Sequence, residues 1–438
     1  MKIKLIPTLL LAVALSACSQ NKKADLSKQD TLQTPDSQTV ALPAPFQTKS
    51  ARNYCKVIGW PKGKTPIAPT GFSVSLFADS LANPRNIYLA PNGDILVSEA
   101  NTELKGIKKL GAKIIGAAGS QNLNKSANRI TLLRDANGDG IPETKTVFLD
   151  KLNQPYGMLI MGNSFYVANT DGLWQYPYKA GQTKITDPGK MILSLPAGGY
   201  NNHWTRNLLA NAAGDKIFVS VGSGTNIAEH GMENERRRAN ILLINPDGSG
   251  ETIYGAGLRN PVGMALQPGT GTLYTVVNER DELGDELVPD YLSSVKQGGF
   301  YGWPWAYFGQ HEDPRPEVKR PDMVKKTLTP DFALGAHTAS LGLTFYNGDK
   351  FPAKYKGGAF IGQHGSWNRA KLSGYKVTFV PFANNKPGAK MEDFLTGFIA
   401  DSVKQEVYGR PVAVMAARDG SLLVADDSGN KIWRVAVK

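Results

Sequence analysis

The sequence predicts an all-β fold, a six-bladed β-propeller, from three observations. First, one phrase recurs six times, at 83–100, 154–176, 203–223, 260–281, 341–366 and 410–435. Each copy reads as a turn, a short apolar strand, a Gly/Asn/Asp turn and a second apolar strand, as in "NPRNIYLAPNGDILVSEA"; this is hairpin chemistry. The copies lie roughly 50–80 residues apart, at or just beyond the spacing of propeller repeats. Second, the chain carries 46 glycines and 27 prolines, which suits many tight turns between short strands. Third, sustained helical periodicity is scarce. The best short helix is "PDYLSSVKQG" (289–298), with Asp290 near its start and Gly298 after its end. A pair of β-sandwiches or a barrel is the competing architecture; six recurring units favour blades around a central channel, with turns at one mouth supplying ligand groups.

The N-terminus reads as a targeting segment. Lys2 and Lys4 precede the apolar run "LIPTLLLAVAL", which is too short to span a bilayer and ends in small residues, so 1–17 is taken as a signal peptide. "LSAC" (15–18) resembles a bacterial lipobox, which implies cleavage before Cys18 and lipidation of its thiol. Ser19 is not the Asp that retains such proteins at the inner membrane, so a periplasm-facing position on the outer membrane is expected, with the lipid as the only membrane attachment. Residues 19–50 are polar and aperiodic, so 18–60 is expected to be a lipidated Cys and flexible tether, with structure starting near Trp60 or Gly71 and the propeller filling 61–438. Cys55 then has no disulfide partner and is expected to be a buried, inert thiol.

Composition is that of a globular protein, 41% hydrophobic and 20% charged. The formal net charge of +12 raises the question of nucleic acid, but the longest basic run is "ERRRAN" (235–240) and no nucleic-acid motif accompanies it. A small polyanionic ligand fits the charge as well, and no nucleic-acid partner is expected.

If each copy begins at the same mouth, Arg85, Gln154, His203, Arg259, Asn260 and Arg410 converge there. Arginine offers a planar donor fork matched to carboxylates, so this set suits a polycarboxylate. His203, in "GGYNNHWTRNLL", stands at the start of a copy; a lone histidine is most often structural, but neutral imidazole is well suited to take a hydroxyl proton. In "DANGDGIPE" (135–143), Asp135, Asn137 and Asp139 alternate before Gly140 as in the first half of a calcium loop, although the twelfth position is Thr146 and the same residues make ordinary hairpin turns. Of the aromatic residues in "FYGWPWAYFG", most read as blade packing, with Trp303 kept as a rim residue able to stack a sugar.

Several motifs occur in an ordered series: "GLRNPVGMAL", "NERDELGD" with "GGFYGWPW", "HTASLGLTFY", "GSWNR" followed by "GYKV", and "GRPVAV". Over roughly residues 70–437 this series resembles the PQQ-dependent aldose sugar dehydrogenase family, the glucose/sorbosone dehydrogenases, and is most similar to the sorbosone-type branch. The resemblance implies a six-bladed propeller with pyrroloquinoline quinone (PQQ) at its mouth. It implies that His203 is the general base for the sugar C1 hydroxyl while hydride passes to the quinone. Arg259 and Asn260 would contact the quinone, Arg410 a cofactor carboxylate and Gln154 the cofactor rim, with Arg369 in "NRA" replacing a basic contact. Ca²⁺, as a Lewis acid on the quinone, would be held by main-chain carbonyls in "NERDELGD", pointing to Asp281 and Glu282. The implied partners are a small sugar substrate and an electron acceptor, a respiratory quinone or a cytochrome. The chain departs from the glucose-oxidising branch where an Asp pairs with the histidine: here the stretch is "SVGSGTN", with Ser223 nearby. The "ERRRAN" loop is an insertion with no legible role. Two other readings compete: a calcium-dependent sugar-lactone hydrolase, which needs convergent carboxylates on a central metal, and a non-catalytic envelope propeller, which needs neither cofactor nor His203.

Overall fold

The computed structural model describes residues 30–36, 38–103, 120 and 125–438. The expected signal peptide and Cys18 lie outside the described residues.

The six copies become the first two strands of six sheets. The first sheet runs Pro84–Leu89, Ile95–Glu99, Arg129–Arg134, Thr144–Leu149, and the second Gly157–Met161, Ser164–Asn169, Gly172–Pro177, Lys190–Ser194. The third runs Arg206–Ala210, Ile217–Val221, Asn240–Ile244, Thr252–Ala256, with Gly299–Phe300 added in parallel. The fourth is Pro261–Leu266, Leu273–Val277, Pro289–Ser294, Phe332–Ala336, and the fifth Ser340–Phe345, Ala359–Gln363, Lys376–Val380, Glu392–Leu395. The sixth, Pro411–Ala416, Leu422–Asp426, Lys431–Val437, is completed by Phe72–Ala78, which comes from before the first sheet and pairs antiparallel with the last strand.

The first strands of successive sheets touch in order, and that of the sixth touches that of the first. Glycines in the recurrent phrase permit this approach. A Cβ on Gly157 would stand 2.6 Å from the Leu208 amide, one on Gly263 2.7 Å from that of Leu343, and one on Gly342 2.2 Å from the Val412 carbonyl. Any side chain there would drive neighbouring strands apart. The second strands are buried almost throughout, as in Ile95–Glu99 and Leu273–Val277, because neighbouring sheets cover both faces. The richest aromatic core gathers Phe72, Tyr346, Phe360, Phe379, Phe394 and Trp433, with Phe360 and Phe394 edge-on at 4.6 Å.

Two expectations are corrected. Residues 289–294 form a strand, not the start of a helix: Tyr291 and Leu292 are fully buried and hydrogen-bonding neighbours flank the strand on both edges, so tertiary pairing overrides local propensity. An α-helix is instead formed by Pro321–Lys326, with Pro at its N-terminal turn. The tether does not extend to residue 60. Asp30–Gln33 and Thr39–Leu42 form a hairpin whose Val40 and Leu42 enter an apolar core with Leu283 and Leu287. Lys56–Val57 pairs in parallel with Glu406–Val407, and Cys55 is a buried free thiol in the aromatic core.

Candidate active site

A cavity of about 1150 Å³ opens where the sheets converge. Its wall includes Arg85, Gln154, His203, Arg259, Asn260 and Arg410, so the turns opening the recurrent phrase do meet at one mouth. The volume is somewhat above the ~1,000 Å³ upper end for single drug-sized ligands.

His203 is half-buried in this wall and its tautomer is fixed. Nδ1 lies 2.8 Å from the Ser223 carbonyl, which can only accept, so Nδ1 carries the proton. Ser223 Oγ donates to the Thr225 carbonyl at 2.6 Å and so receives the same Nδ1–H at 3.0 Å. The Nε2 lone pair is left as the basic atom. Burial and the neighbouring Arg259 charge hold the imidazole down to about 3, so it is neutral near pH 7. Arg206 fixes the backbone beneath it, donating to the His203, Thr205 and Pro196 carbonyls and to Asn201 Oδ1. The "ERRRAN" insertion braces the same wall: buried Glu235 accepts from the Gly224 amide and Thr225 Oγ1, and Arg238 donates to Asn201 Oδ1.

The three wall arginines differ in how their charge is met. Arg259 is saturated by the Asn278 and Glu279 carbonyls, by Asn226 and by the Asp281 carboxylate at 3.1 Å. Among the described residues, Arg410 donates only to main-chain carbonyls, those of His364, Ser120 and Gly365, and pairs directly with no carboxylate. Arg85 pairs with Asp427 and lies 5.6 Å over the Trp204 ring, while its buried Nε has no partner among the described residues. Asn260 Oδ1 is likewise buried without a partner among the described residues, beside Gly222, where a Cβ would stand 2.4 Å from it. Gln154 has positive φ and spends its Nε2 on the Asn101 carbonyl.

Arg369, Trp303 and the residues of 135–143 fall outside the wall. Arg369 is not in the wall; it pairs with Glu286 at 2.5 Å. Asp281 and Glu282 line the cavity, but the Asp281 carbonyl accepts from Arg315 Nη1 at 2.6 Å and from Asn226, so it is not the free calcium ligand expected. Burial would raise the Asp281 carboxyl; hydrogen bonding to His337 and the charge of Arg259 bring it below its usual value. Glu282 pairs with Arg52. In the 135–143 hairpin, the carboxylates of Asp135 and Asp139 gather with Glu143, not Thr146, within 4.8 Å. Asn137 turns its amide onto Asp139, and much of the carboxylate capacity goes to the loop's own amides. Trp303 is buried and donates to the Asn226 carbonyl, so it packs and does not form the rim.

The exits of the second strands supply what the sequence reading missed. His364 follows Ala359–Gln363 and Asp427 follows Leu422–Asp426; Nε2 of His364 stands 2.8 Å from Asp427 Oδ2. Burial and Arg410 push His364 down to about 4. Burial alone would raise Asp427, but the charges of His364 and Arg85 outweigh it and hold it well below the usual carboxylate range. Tyr54 and Trp367 also line the cavity. The signal for His364 and Asp427 was their place directly after the second strand of a copy; Tyr54 carried none.

A family model described as TrAA12-like matches residues 66–290 and 314–438. An uncharacterized protein of Borreliella burgdorferi is 28% identical, over 84% of this chain and 89% of its own. The pyrroloquinoline quinone-dependent sugar dehydrogenase of Hypocrea jecorina is 25% identical, over 55% of this chain and 57% of its own length. Among solved structures, the holo form of the pyranose dehydrogenase PQQ domain from Coprinopsis cinerea superposes with a TM-score of 0.67 at 19% identity, covering 87% of this chain and 100% of that one. A calcium structure of the Trichoderma reesei family AA12 enzyme gives 0.68 at 19%, covering 88% and 99%. At these identities the superpositions establish a shared fold.

Proposed function

The chain belongs to the TrAA12-like family, and from that membership and the cavity we propose that it is a quinoprotein sugar dehydrogenase. It oxidises an aldose, or a related aldehyde or alcohol, with PQQ as cofactor and His203 as general base, on a six-bladed propeller. The observation that carries this reading is a neutral imidazole with a fixed free Nε2 in one cavity with Arg259, Asn260 and Arg410.

The residues fit the cofactor. Arg410 is a buried guanidinium whose hydrogen bonds, among the described residues, all go to carbonyls, so a carboxylate would neutralise it with charge-assisted hydrogen bonds. The orphaned Asn260 Oδ1 and Arg85 Nε are polar atoms that a ligand would satisfy. Bound there, PQQ supplies the two-electron acceptor. Arg410 and Arg85 would hold its carboxylates, with Asn260 against the ring system. Arg259, saturated by the protein, acts as a fixed positive charge. His203 Nε2 would take the proton of the sugar C1 hydroxyl as that carbon is oxidised. The Ser223 carbonyl and hydroxyl orient the ring as an Asp would, without a formal charge to stabilise the imidazolium. Calcium belongs to this reading through the calcium form of the Trichoderma reesei relative; the Asp281 carbonyl, already bonded to Arg315, does not fit it, and no proton or hydride step is routed through the metal. The lactonase alternative loses support because, among the described residues, the one group of three metal-capable carboxylates is on the 135–143 hairpin, away from this wall.

The same reading makes Cys18 a lipid anchor on the periplasmic face, with electrons leaving to a respiratory quinone or cytochrome; fatty-acid labelling lost in Cys18→Ser tests the anchor. The enzyme is tested by loading the full chain with PQQ and Ca²⁺ and following dye reduction with a panel of aldoses. PQQ-dependent turnover that disappears in His203→Ala is the expected result. Absence of PQQ binding would overturn the proposal.

A further inference from the structure

The family-matched region begins at residue 66, yet Tyr54, which precedes it, lines the cavity. The segment 46–57 is sewn across two loops of the mouth. The Phe46 amide donates to the Leu283 carbonyl, the Ala51 amide to Asp285, and the Asn53 amide to the Trp367 carbonyl at 2.7 Å. Asn53 Nδ2 reaches the Ala370 carbonyl at 2.7 Å, and Asn368 Nδ2 reaches the Ala51 carbonyl. On one side of Tyr54 is this doubly bonded Asn53; on the other is buried Cys55. The ring is therefore held in place and lies parallel to that of Trp367, with centroids 5.6 Å apart and planes 7° apart. At that spacing the rings are offset, so together they cover more of the wall than either alone.

Both rings line the cavity, and both are half-buried, open to it on one side. Asp281 and Glu282, close enough to act electrostatically on the Tyr54 hydroxyl, line the same wall. A flat apolar surface beside carboxylate acceptors suits a molecule with an apolar C–H face and hydroxyl donors around its edge. Arg259 and Arg52 are already paired to these two carboxylates, so, among the described residues, this wall offers a substrate carboxylate no free cation. The cavity volume leaves room for such a molecule beside a cofactor.

We propose that Tyr54, carried by this strap, forms with Trp367 the stacking wall that receives the pyranose ring of a neutral sugar, in preference to a sugar acid. This rests on the dehydrogenase reading for the chemistry, not for the wall itself. Tyr54 is a specificity residue: it acts on substrate affinity and leaves the reacting atoms alone.

The test uses the full chain loaded with PQQ, with glucose and glucuronate as substrates and PQQ affinity measured separately by fluorescence quenching. Tyr54→Ala is expected to raise KM for glucose at least tenfold, with kcat and PQQ affinity within twofold of the parent. Tyr54→Phe, which keeps the ring, is expected to match the parent, and glucuronate is expected to be the poorer substrate throughout. If Tyr54→Ala fails to fold, Tyr54→Leu decides by the same criteria. An unchanged KM, a Tyr54→Phe as impaired as Tyr54→Ala, or a preference for glucuronate would overturn the proposal. Should the parent not bind PQQ, the dehydrogenase reading falls by itself. The wall is then tested by calorimetric titration of the bare protein with methyl α-glucopyranoside: binding lost in Tyr54→Ala supports it, and binding that is absent or independent of Tyr54 refutes it.

Discussion

Gly222 offers the sharpest test of how the cavity works. It follows the strand Ile217–Val221 and has no side chain, and a Cβ built there would lie 2.6 Å from His203 Cβ and 2.4 Å from Asn260 Oδ1. Ordinary contact begins near 3.4 Å, so Gly222→Ala must push His203 or the backbone by about 0.8 Å. A misplacement of about 1 Å at a reacting group costs on the order of 10²-fold in rate, or about 2.7 kcal/mol in the barrier. We therefore expect kcat/KM of the PQQ-loaded enzyme to fall roughly 100-fold by this argument. Gly198→Ala is the control, since a Cβ there meets nothing within 4 Å. The assay is dye-coupled sugar oxidation, with thermal melting to confirm that both variants fold. A Gly222→Ala enzyme within threefold of the parent would refute the claim that His203 and Asn260 are held in a working geometry by the missing side chain.

Two further predictions concern the wall, and a third the buried carboxylate of Asp290. His203 is held down to about 3 in the cofactor-free protein by burial and by Arg259, with Arg206 adding to this and Asp281 opposing it. The unfolded chain, near 6.5, binds the proton more readily, so this residue's contribution to stability is full above the unfolded value and is lost as pH falls from about 6.5 toward 3; NMR of the ring should show no titration between pH 8 and 5 and an upward shift on adding the anionic cofactor, and titration near 6.5 without cofactor would contradict the assignment. Arg410→Met should weaken PQQ binding by roughly 10- to 100-fold, the value of a charge-assisted pair, and Arg410→Lys should not restore it because the planar fork is lost; fluorescence titration decides, and an unchanged affinity removes Arg410 from the cofactor site. Asp290 is buried and accepts from the Glu279 amide, the Ser340 amide and Thr338 Oγ1, so Asp290→Ala should cost about 4 kcal/mol in urea unfolding; a loss under 1 kcal/mol would mean that these donors find other partners.

The hairpins were legible because their signals are local. A strand that alternates or runs apolar, closed by Gly, Asn or Asp, is written within about ten residues, and all six copies landed on paired strands. The wall residues at the opening turns followed from that register. What failed was decided at long range. Whether 289–294 was strand or helix depended on edges supplied by Leu273–Val277 and Phe332–Ala336. Whether the Asp281 carbonyl was free depended on Arg315 folding back onto it, and whether Arg369 reached the cavity depended on Glu286. The polar composition of 30–57 gave no sign that its backbone would be hydrogen-bonded to loops more than two hundred residues away.

The sixth sheet takes its outermost strand, Phe72–Ala78, from one end of the matched region and the other three from the opposite end. The fold therefore behaves as a clasp whose two halves are made at different times. Joining ends so far apart costs about 5 kcal/mol of loop-closure entropy on a logarithmic law, offset only once the whole ladder to Lys431–Val437 has formed. Until Lys431–Val437 has left the ribosome, Phe72–Ala78 lacks the strand it pairs with, and the first-made sheet waits beside an open gap. A chain cut short by even a few C-terminal residues would leave that gap unsealed, and shape would be lost across the ring and not only at its end.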